Sequence, residues 1–163
     1  MHSEKIISAL NNQVNAELYS SYLYLSMSAY FESQNLTGFA KWTRIQSGEE
    51  YGHGMKIFDF INQLGGTVIL GEIKKPKSEW TSPHEVFENI FLHEQKISNL
   101  INELIDLAIS EKDHAVNNFL QYFVKEQVEE EASVKIILEK LKGIGDHKNA
   151  IYMLDHQAEK RVN

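Results

Sequence analysis

The chain has 163 residues, 42% of them hydrophobic, with 23 acidic against 16 basic side chains and no cysteine. That length suits one domain with a sizeable core, and a net charge of −7 argues against a polyanion-binding surface, so neither nucleic acid nor an anionic membrane is an expected partner. Without cysteine, disulfide frameworks, Cys-ligated zinc, iron–sulfur clusters and thiol catalysis are excluded, and with no apolar run of membrane-spanning length and no signal-like start the expectation is a soluble cytoplasmic protein.

The only prolines, Pro76 and Pro83, fall in one short stretch, so nothing elsewhere forbids long helices. From Ser3 to about Glu32 there is neither Gly nor Pro, and Ile6, Leu10, Val14, Leu18, Tyr22 and Leu25 recur at helical steps. Ser3 reads as the N-cap, with Glu4 favourable in the first turn. A second helix is expected from about Leu36 to Leu64 on Phe39, Trp42, Ile45, Ile57, Phe60, Ile61 and Leu64, ended by Gly65-Gly66. Its glycines Gly48, Gly52 and Gly54 each cost about 1 kcal/mol against Ala in a helix interior, which predicts close packing around them.

Residues 66–81 show no sustained period and read as a long loop. Ser82-Pro83-His84-Glu85 reads as a capping box with Pro at the first helical position. A third helix follows through Phe87, Ile90, Phe91, Ile97, Ile101, Leu104 and Leu107, with a polar break at Glu111 to Asp113. The fourth carries Val116, Phe119, Leu120, Phe123, Val134, Ile137, Leu138 and Leu141, and Gly143 and Gly145 should stop it. Asp146 can cap a short fifth helix, about 146–160, bearing Ile151, Leu154 and Ala158.

The expected fold is therefore all-α: a single domain over 1–163, with a four-helix bundle over 3–142 and a short C-terminal helix. A 30-residue helix is about 45 Å long, and sixteen extended residues span about 53 Å. The 66–81 connection can thus cross the whole bundle and make helices two and three parallel, whereas the short connections make the other pairs antiparallel.

Each apolar seam is interrupted by one glutamate: Glu17, Glu50, Glu94 and Glu130. With helices over 3–32, 36–65, 82–110 and 114–142, the midpoints fall near residues 17, 50, 96 and 128, so all four carboxylates should meet at one level. Converging carboxylates in a low dielectric do not all stay ionised without a cation, and hard or borderline metal ions are the usual remedy. Glu50 and His53 form a Glu-x-x-His step on one helical face, and Gln127 and Glu130 have the same spacing on the fourth helix. Four glutamates and one histidine suit paired iron or manganese ions better than structural zinc. A single seam glutamate is ordinarily a boundary residue snorkelling to water, and a lone His53 a hydrogen-bonded core residue. Agreement of face and depth on four helices outweighs both readings.

Asn15-Ala16-Glu17-Leu18-Tyr19, Glu49-Glu50-Tyr51-Gly52-His53 and Glu126-Gln127-Val128-Glu129-Glu130-Glu131 resemble the motifs of the non-haem ferritins of bacteria and archaea, and the likeness covers essentially the whole chain. The resemblance implies a ferritin-like bundle in a hollow cage of 24 subunits, with an iron-storing ferroxidase centre inside each subunit that takes Fe(II) and dioxygen or peroxide as substrates. It implies Glu17, Glu50 and His53 around one iron, Glu50, Glu94 and Glu130 around a second, Glu50 bridging, and Gln127 beside the site. It further implies a third iron site of Glu49, Glu126 and Glu129 with Glu130, and Tyr24 as the site tyrosine and an electron donor. On the residues alone, the 129–131 acidic run and Glu49 read equally as solvated faces, and Tyr24 as a core aromatic. The remaining histidines, His2, His84, His93, His114, His147 and His156, read as surface residues.

Departures from neighbouring families narrow the reading. Bacterioferritins carry a second Glu-x-x-His and a haem-ligating Met; here Glu130 and Tyr51 stand at those positions, so no haem is expected. Rubrerythrin's iron–thiolate domain needs cysteine, and mini-ferritins build their site between subunits. Two rival functions are a di-iron oxygenase or reductase, which needs an apolar substrate pocket beside the metals, and a structural bundle whose glutamates only set helix register.

Overall fold

The structure, a computed structural model, describes residues 2–162; Met1 and Asn163, the ends of the expected 1–163 domain, lie outside the described residues. Ser3 accepts a hydrogen bond from Ile6 N at 3.3 Å and opens α1 (Glu4–Ser33). Asn35, left-handed at φ 57°, turns the chain into α2 (Thr37–Gln63), a conformation Asn tolerates better than most residues. Gly65, at φ 75°, ends α2. Ser82 accepts from Glu85 N at 3.1 Å to open α3 (Pro83–Ser110). The Glu85 carboxylate reaches one residue farther back than a capping box requires, to Thr81 N at 2.7 Å.

Asp113 caps α4 (His114–Ile144) through Val116 N at 3.1 Å. This helix runs past Gly143 and stops at Gly145, φ 56°, slightly later than expected. An exposed glycine only weakens a helix, whereas a left-handed residue ends it. α5 (Lys148–Ala158) begins after His147, and Asp146, the expected cap, stands one residue too early for that role.

Two apolar clusters fix the directions of the helices. One joins Leu23 to Phe31 of α1, Leu36 to Trp42, Trp80 to Ile90, and Val134 to Leu141 of α4. The other joins Ile6 to Val14 of α1, Ile57 and Ile61 of α2, Ile97 to Ala108 of α3, and Val116 to Phe123 of α4. The end of α1 thus meets the start of α2, and the start of α3 meets the end of α4, so both pairs are antiparallel. The starts of α2 and α3 share one cluster, so these helices are parallel, as the loop length predicted. The crossover tracks α1: Asn11 Oδ1 accepts from Ile69 N (2.7 Å), Asn15 Nδ2 donates to Glu72 O (3.2 Å) and Ser26 Oγ donates to Lys77 O (2.7 Å).

The first helix corrects one expected stripe: Tyr22 and Leu25 are 50% and 43% exposed, and Leu23, Tyr24 and Met27 are buried instead. Steps of four overrun a 3.6-residue turn by about 40° each, so Tyr22 lies about 160° around the helix from Ile6. The glycine reading also needs correction. A Cβ at Gly48 or Gly52 would meet open space, and only Gly54 lies close to α1, 3.4 Å from Glu17 Cβ.

The tight glycine is Gly38, in the first turn of α2, where an added Cβ would lie 1.8 Å from the Asp155 carbonyl oxygen of α5. Leu36, at the N-cap of α2, has no side chain able to cap. Asp155 supplies the missing acceptor from the other helix, its Oδ1 taking Phe39 N at 2.8 Å. Removing it in Asp155→Ala is expected to cost about 1–2 kcal/mol, the value of an N-cap, and Gly38→Ala should dislodge α5 as well. Denaturant unfolding checks both; an Asp155→Ala protein as stable as the parent would refute the capping role.

Candidate metal centre

Between the two apolar clusters lies a polar layer. Glu17, Glu50 and Glu94 are at most 1% exposed, His53 and Gln127 are buried, and Glu130 is half-buried. Their level follows from helix geometry, since each residue stands near the middle of a helix of about 30 residues. Glu17, Glu50 and His53 bring one ligand atom each within 4.8 Å of one another, a group able to hold a metal ion. His53 Nδ1 lies 3.4 Å from Glu50 Oε2, the product of their i, i+3 spacing.

Glu94 and Glu130 enter the layer through hydrogen bonds. Glu94 accepts from the hydroxyl of the fully buried Tyr24 and from Gln127 Nε2 at 3.0 Å. Glu130 Oε2 accepts from Gln46 Nε2 at 2.9 Å, and the same amide donates to Glu50 Oε1 at 2.7 Å. Gln13 donates to Glu17 Oε1 at 2.7 Å. Gln13 and Gln46 were not anticipated, yet their signature is in the sequence: each stands four residues before its glutamate, on the same helical face. The other oxygen of Glu17, Oε2, is buried and no amide, hydroxyl or ring N–H donates to it; the Glu50 carboxylate is its polar neighbour.

The electrostatics are those of crowded carboxylates. Burial, then the charge of Glu50, raises Glu17 well above the ordinary range. The same two causes bring Glu94 to about 8, and with Glu49 they bring Glu130 to about 7. Glu50 is the group that stays charged: burial opposes its ionisation, but the hydrogen bond and charge of His53 outweigh it and lower its pKa. Burial likewise opposes the imidazolium of His53, and Glu50, Glu17 and Glu130 overcome it, raising His53 to about 9. Burial, followed by the charge of Glu94, pushes the Tyr24 hydroxyl up.

Among the described residues no Cα atom of α2 lies within 8 Å of a Cα atom of α4. Long side chains fill that seam: Phe60 stacks on Phe119 at 3.7 Å, and Lys56 lies 4.2 Å over the Tyr122 ring. The wide seam leaves a cavity of about 460 Å³ that reaches the layer at His53 and Glu130 and gathers Glu49, Glu126 and Glu129. Glu126 Oε2 is 3.7 Å from His53 Nε2, Glu129 is exposed, and Glu49 pairs with Arg161 at 2.6 Å. A larger groove, about 1070 Å³, lies between the start of α1, the crossover and α3, and none of the layer glutamates lines it.

Three histidines read as surface residues are not fully so. His93 is half-buried, 2.7 Å from Ser20 Oγ and edge-on to Tyr24, and burial lowers it to about 4. It directly precedes Glu94, so its neighbours are the aromatic side chains flanking the layer. His2 is half-buried against Asp113, Nδ1 to Oδ2 2.5 Å, and His84 is half-buried in the first turn of α3. His114, His147 and His156 are exposed as expected.

The ferritin-like domain family matches residues 7–144. The chain is 45% identical over 161 residues to a bacterial non-heme ferritin of Bacteroides fragilis, covering 99% of this chain and 100% of the relative. It is 38% identical over 155 residues to that of Campylobacter jejuni, covering 95% and 93%. Among solved structures, an open pore ferritin from the hyperthermophilic archaeon Archaeoglobus fulgidus is 50% identical, with TM-score 0.98 over 99% of this chain and 100% of that one. A closed form of the same ferritin, engineered by site-directed mutagenesis, gives TM-score 0.97 at 49% identity, covering 99% of each chain.

The protonation pattern fixes a pH dependence. Glu94, Glu130 and Glu17 retain protons in the folded chain that carboxyls near 4.5 give up on unfolding, so they withdraw stability as pH rises from about 4.5 through 7 and 8. His53 adds stability below its unfolded 6.5 that is lost as pH passes about 9, in the same direction. Glu50, lowered, loses its contribution only as pH falls below about 4.5. Metal-free protein should therefore melt at a higher temperature near about pH 6 than near about pH 8.5, with Glu94→Gln flattening the trend. A melting temperature that climbs across this interval contradicts these protonation states.

Proposed function

The chain belongs to the ferritin family, and from that premise and the geometry of the layer we propose that it is an iron-storage ferroxidase acting in the cytoplasm. The whole chain, 1–163, works as a single domain and assembles with copies of itself into a 24-subunit cage. Fe(II) is the substrate and dioxygen or peroxide the oxidant. Glu17, Glu50 and His53 bind one Fe(II), and Glu50, Glu94 and Glu130 bind the second, with Glu50 shared. Gln127 and Tyr24 orient Glu94 through their hydrogen bonds, and Glu49, Glu126 and Glu129 with Glu130 take a third iron. No haem takes part.

The observation that carries this reading is the convergence of buried Glu17, Glu50 and His53 within 4.8 Å, with Glu17 Oε2 reached by no donor. A glutamate that only set helix register would not leave an oxygen both desolvated and without a donor. An oxygenase for organic substrates is disfavoured by the cavity that reaches the layer, which is walled largely by acidic and basic side chains rather than apolar ones. No described helix is long and apolar enough to cross a membrane.

Chemically, two Fe(II) ions each lose one electron. Dioxygen takes the two electrons and two protons to give hydrogen peroxide, or peroxide takes them to give two water molecules. Carboxylate ligands stabilise Fe(III) more than Fe(II), and fixed in advance in a low dielectric they lower the barrier to oxidation. Glu17, Glu94 and Glu130 exchange their protons for the incoming cations. The ferric product moves inward and mineralises.

Aerobic addition of Fe(II) at tens of ions per subunit, followed by absorbance and particle size, tests the reading. Fast oxidation on a cage-sized particle is expected, and slow oxidation on a monomer-sized one would overturn it. Glu50→Ala should leave assembly intact and slow oxidation beyond the ~10–100-fold typical of losing an outer hydrogen-bond partner. Equal rates in the two proteins would refute the assignment of Glu50.

A further inference from the structure

The carboxyl end of the chain delivers a cation to the mouth of the carboxylate layer. Beyond α5, the Arg161 guanidinium lies 4.3 Å over the Trp42 ring. Its Nη2 donates to Glu49 Oε2 at 2.6 Å and to Gln46 Oε1 at 2.8 Å, and Nη1 donates to the Trp42 carbonyl at 3.5 Å. Gln46 is completely buried. With its oxygen facing Arg161, its amide hydrogens face Glu50 and Glu130, so the guanidinium dictates which way that amide points. Arg161 also lines the same cavity as Glu126, Glu129 and Glu130.

We propose that Arg161 is a resident cation at the outer position of the centre, so that the C-terminal tail and a third metal ion compete for Glu49. The inference rests on the reading that Glu49, Glu126, Glu129 and Glu130 take a third iron. A planar guanidinium on a carboxylate is a strong, charge-assisted contact, and here it sits on a half-exposed residue that a divalent ion can reach through the cavity. A metal ion arriving at Glu49 sets a second positive charge against the guanidinium and drives Nη2 off, which loosens the tail from Trp42 and releases the hold on Gln46. By linkage the effect is reciprocal: whatever factor the tail takes from the metal's affinity, the metal takes from the tail's attachment. Arg161 is thus a positioning residue that links occupancy of the outer position to the orientation of Gln46, and through it to Glu50 and Glu130.

Zn(II), which is redox-inert, serves as the probe on the assembled protein in a Trp80→Phe background, where Trp42 is the remaining tryptophan. Calorimetric titration should give two tight equivalents in the parent and in Arg161→Gln alike. A third equivalent should bind on the order of fivefold or more tightly in Arg161→Gln, the lower end of ordinary coupling between sites, with Arg161→Lys between the two. Trp42 emission should change with the third equivalent and not with the first two, and Arg161→Gln should show the shifted emission before metal is added. Two clean equivalents followed by a third that is indifferent to Arg161, or Trp42 emission constant throughout, overturns the inference alone. Absence of the two tight equivalents in either protein overturns the metal reading and the inference with it.

Discussion

Carboxylates buried between two apolar clusters lose hydration and repel one another, and the organisation of the chain answers that one constraint. Glu17, Glu50, Glu94 and Glu130 form over half of the surplus of acids over bases. Left alone in a low dielectric, such a set either takes up protons or unfolds the chain. The structure combines several remedies. His53 provides one positive charge and keeps Glu50 ionised; Gln13, Gln46, Gln127 and Tyr24 provide donors; Glu94 and Glu130 hold protons near neutrality. One oxygen, Glu17 Oε2, is reached by no donor, and its residue belongs to the Glu17, Glu50 and His53 group that could hold a metal ion.

The helical frame places these groups at one depth without any special loop. Two antiparallel hairpins joined by a crossover bring the midpoints of four helices together, whichever way each helix runs. The hairpins pack closely within themselves, whereas α2 and α4 stay apart and meet through long side chains. That uneven packing opens one side of the layer and not the others. The same open seam contains the second set of carboxylates and receives the C-terminal tail.

What could be read from the sequence was whatever depends on local periodicity. The four long helices, the crossing direction of residues 66–81 and the seam positions of the four glutamates all follow from spacing along single helices. Contacts between elements distant in sequence were not legible. Asp155 gives no local sign that it caps α2, because the helix it caps begins 118 residues earlier. Arg161 looks like an ordinary tail residue until Trp42 and Glu49 are seen beside it. His93 is polar in a charged neighbourhood, and its half-buried place beside Tyr24 is set by how α3 meets α1. Tyr22 and Leu25 failed for a geometric reason, the drift of a four-residue step against a 3.6-residue turn. The glycines of α2 misled because openness, not crowding, surrounds Gly48 and Gly52.

The polar layer also divides the interior into two halves, each with its own contiguous packing: aromatic around Phe31, Phe39 and Phe87 on one side, largely aliphatic around Leu10, Ile61 and Ile101 on the other. The carboxylates of the layer belong to neither half, although His53 packs edge-on against Phe123 and Tyr24 is part of the aromatic side. Replacing buried like charges with neutral groups relieves repulsion rather than creating it. Selection for chemistry and selection for foldability therefore act on different residues of this chain. Loss of the layer's chemistry thus need not carry loss of the fold with it.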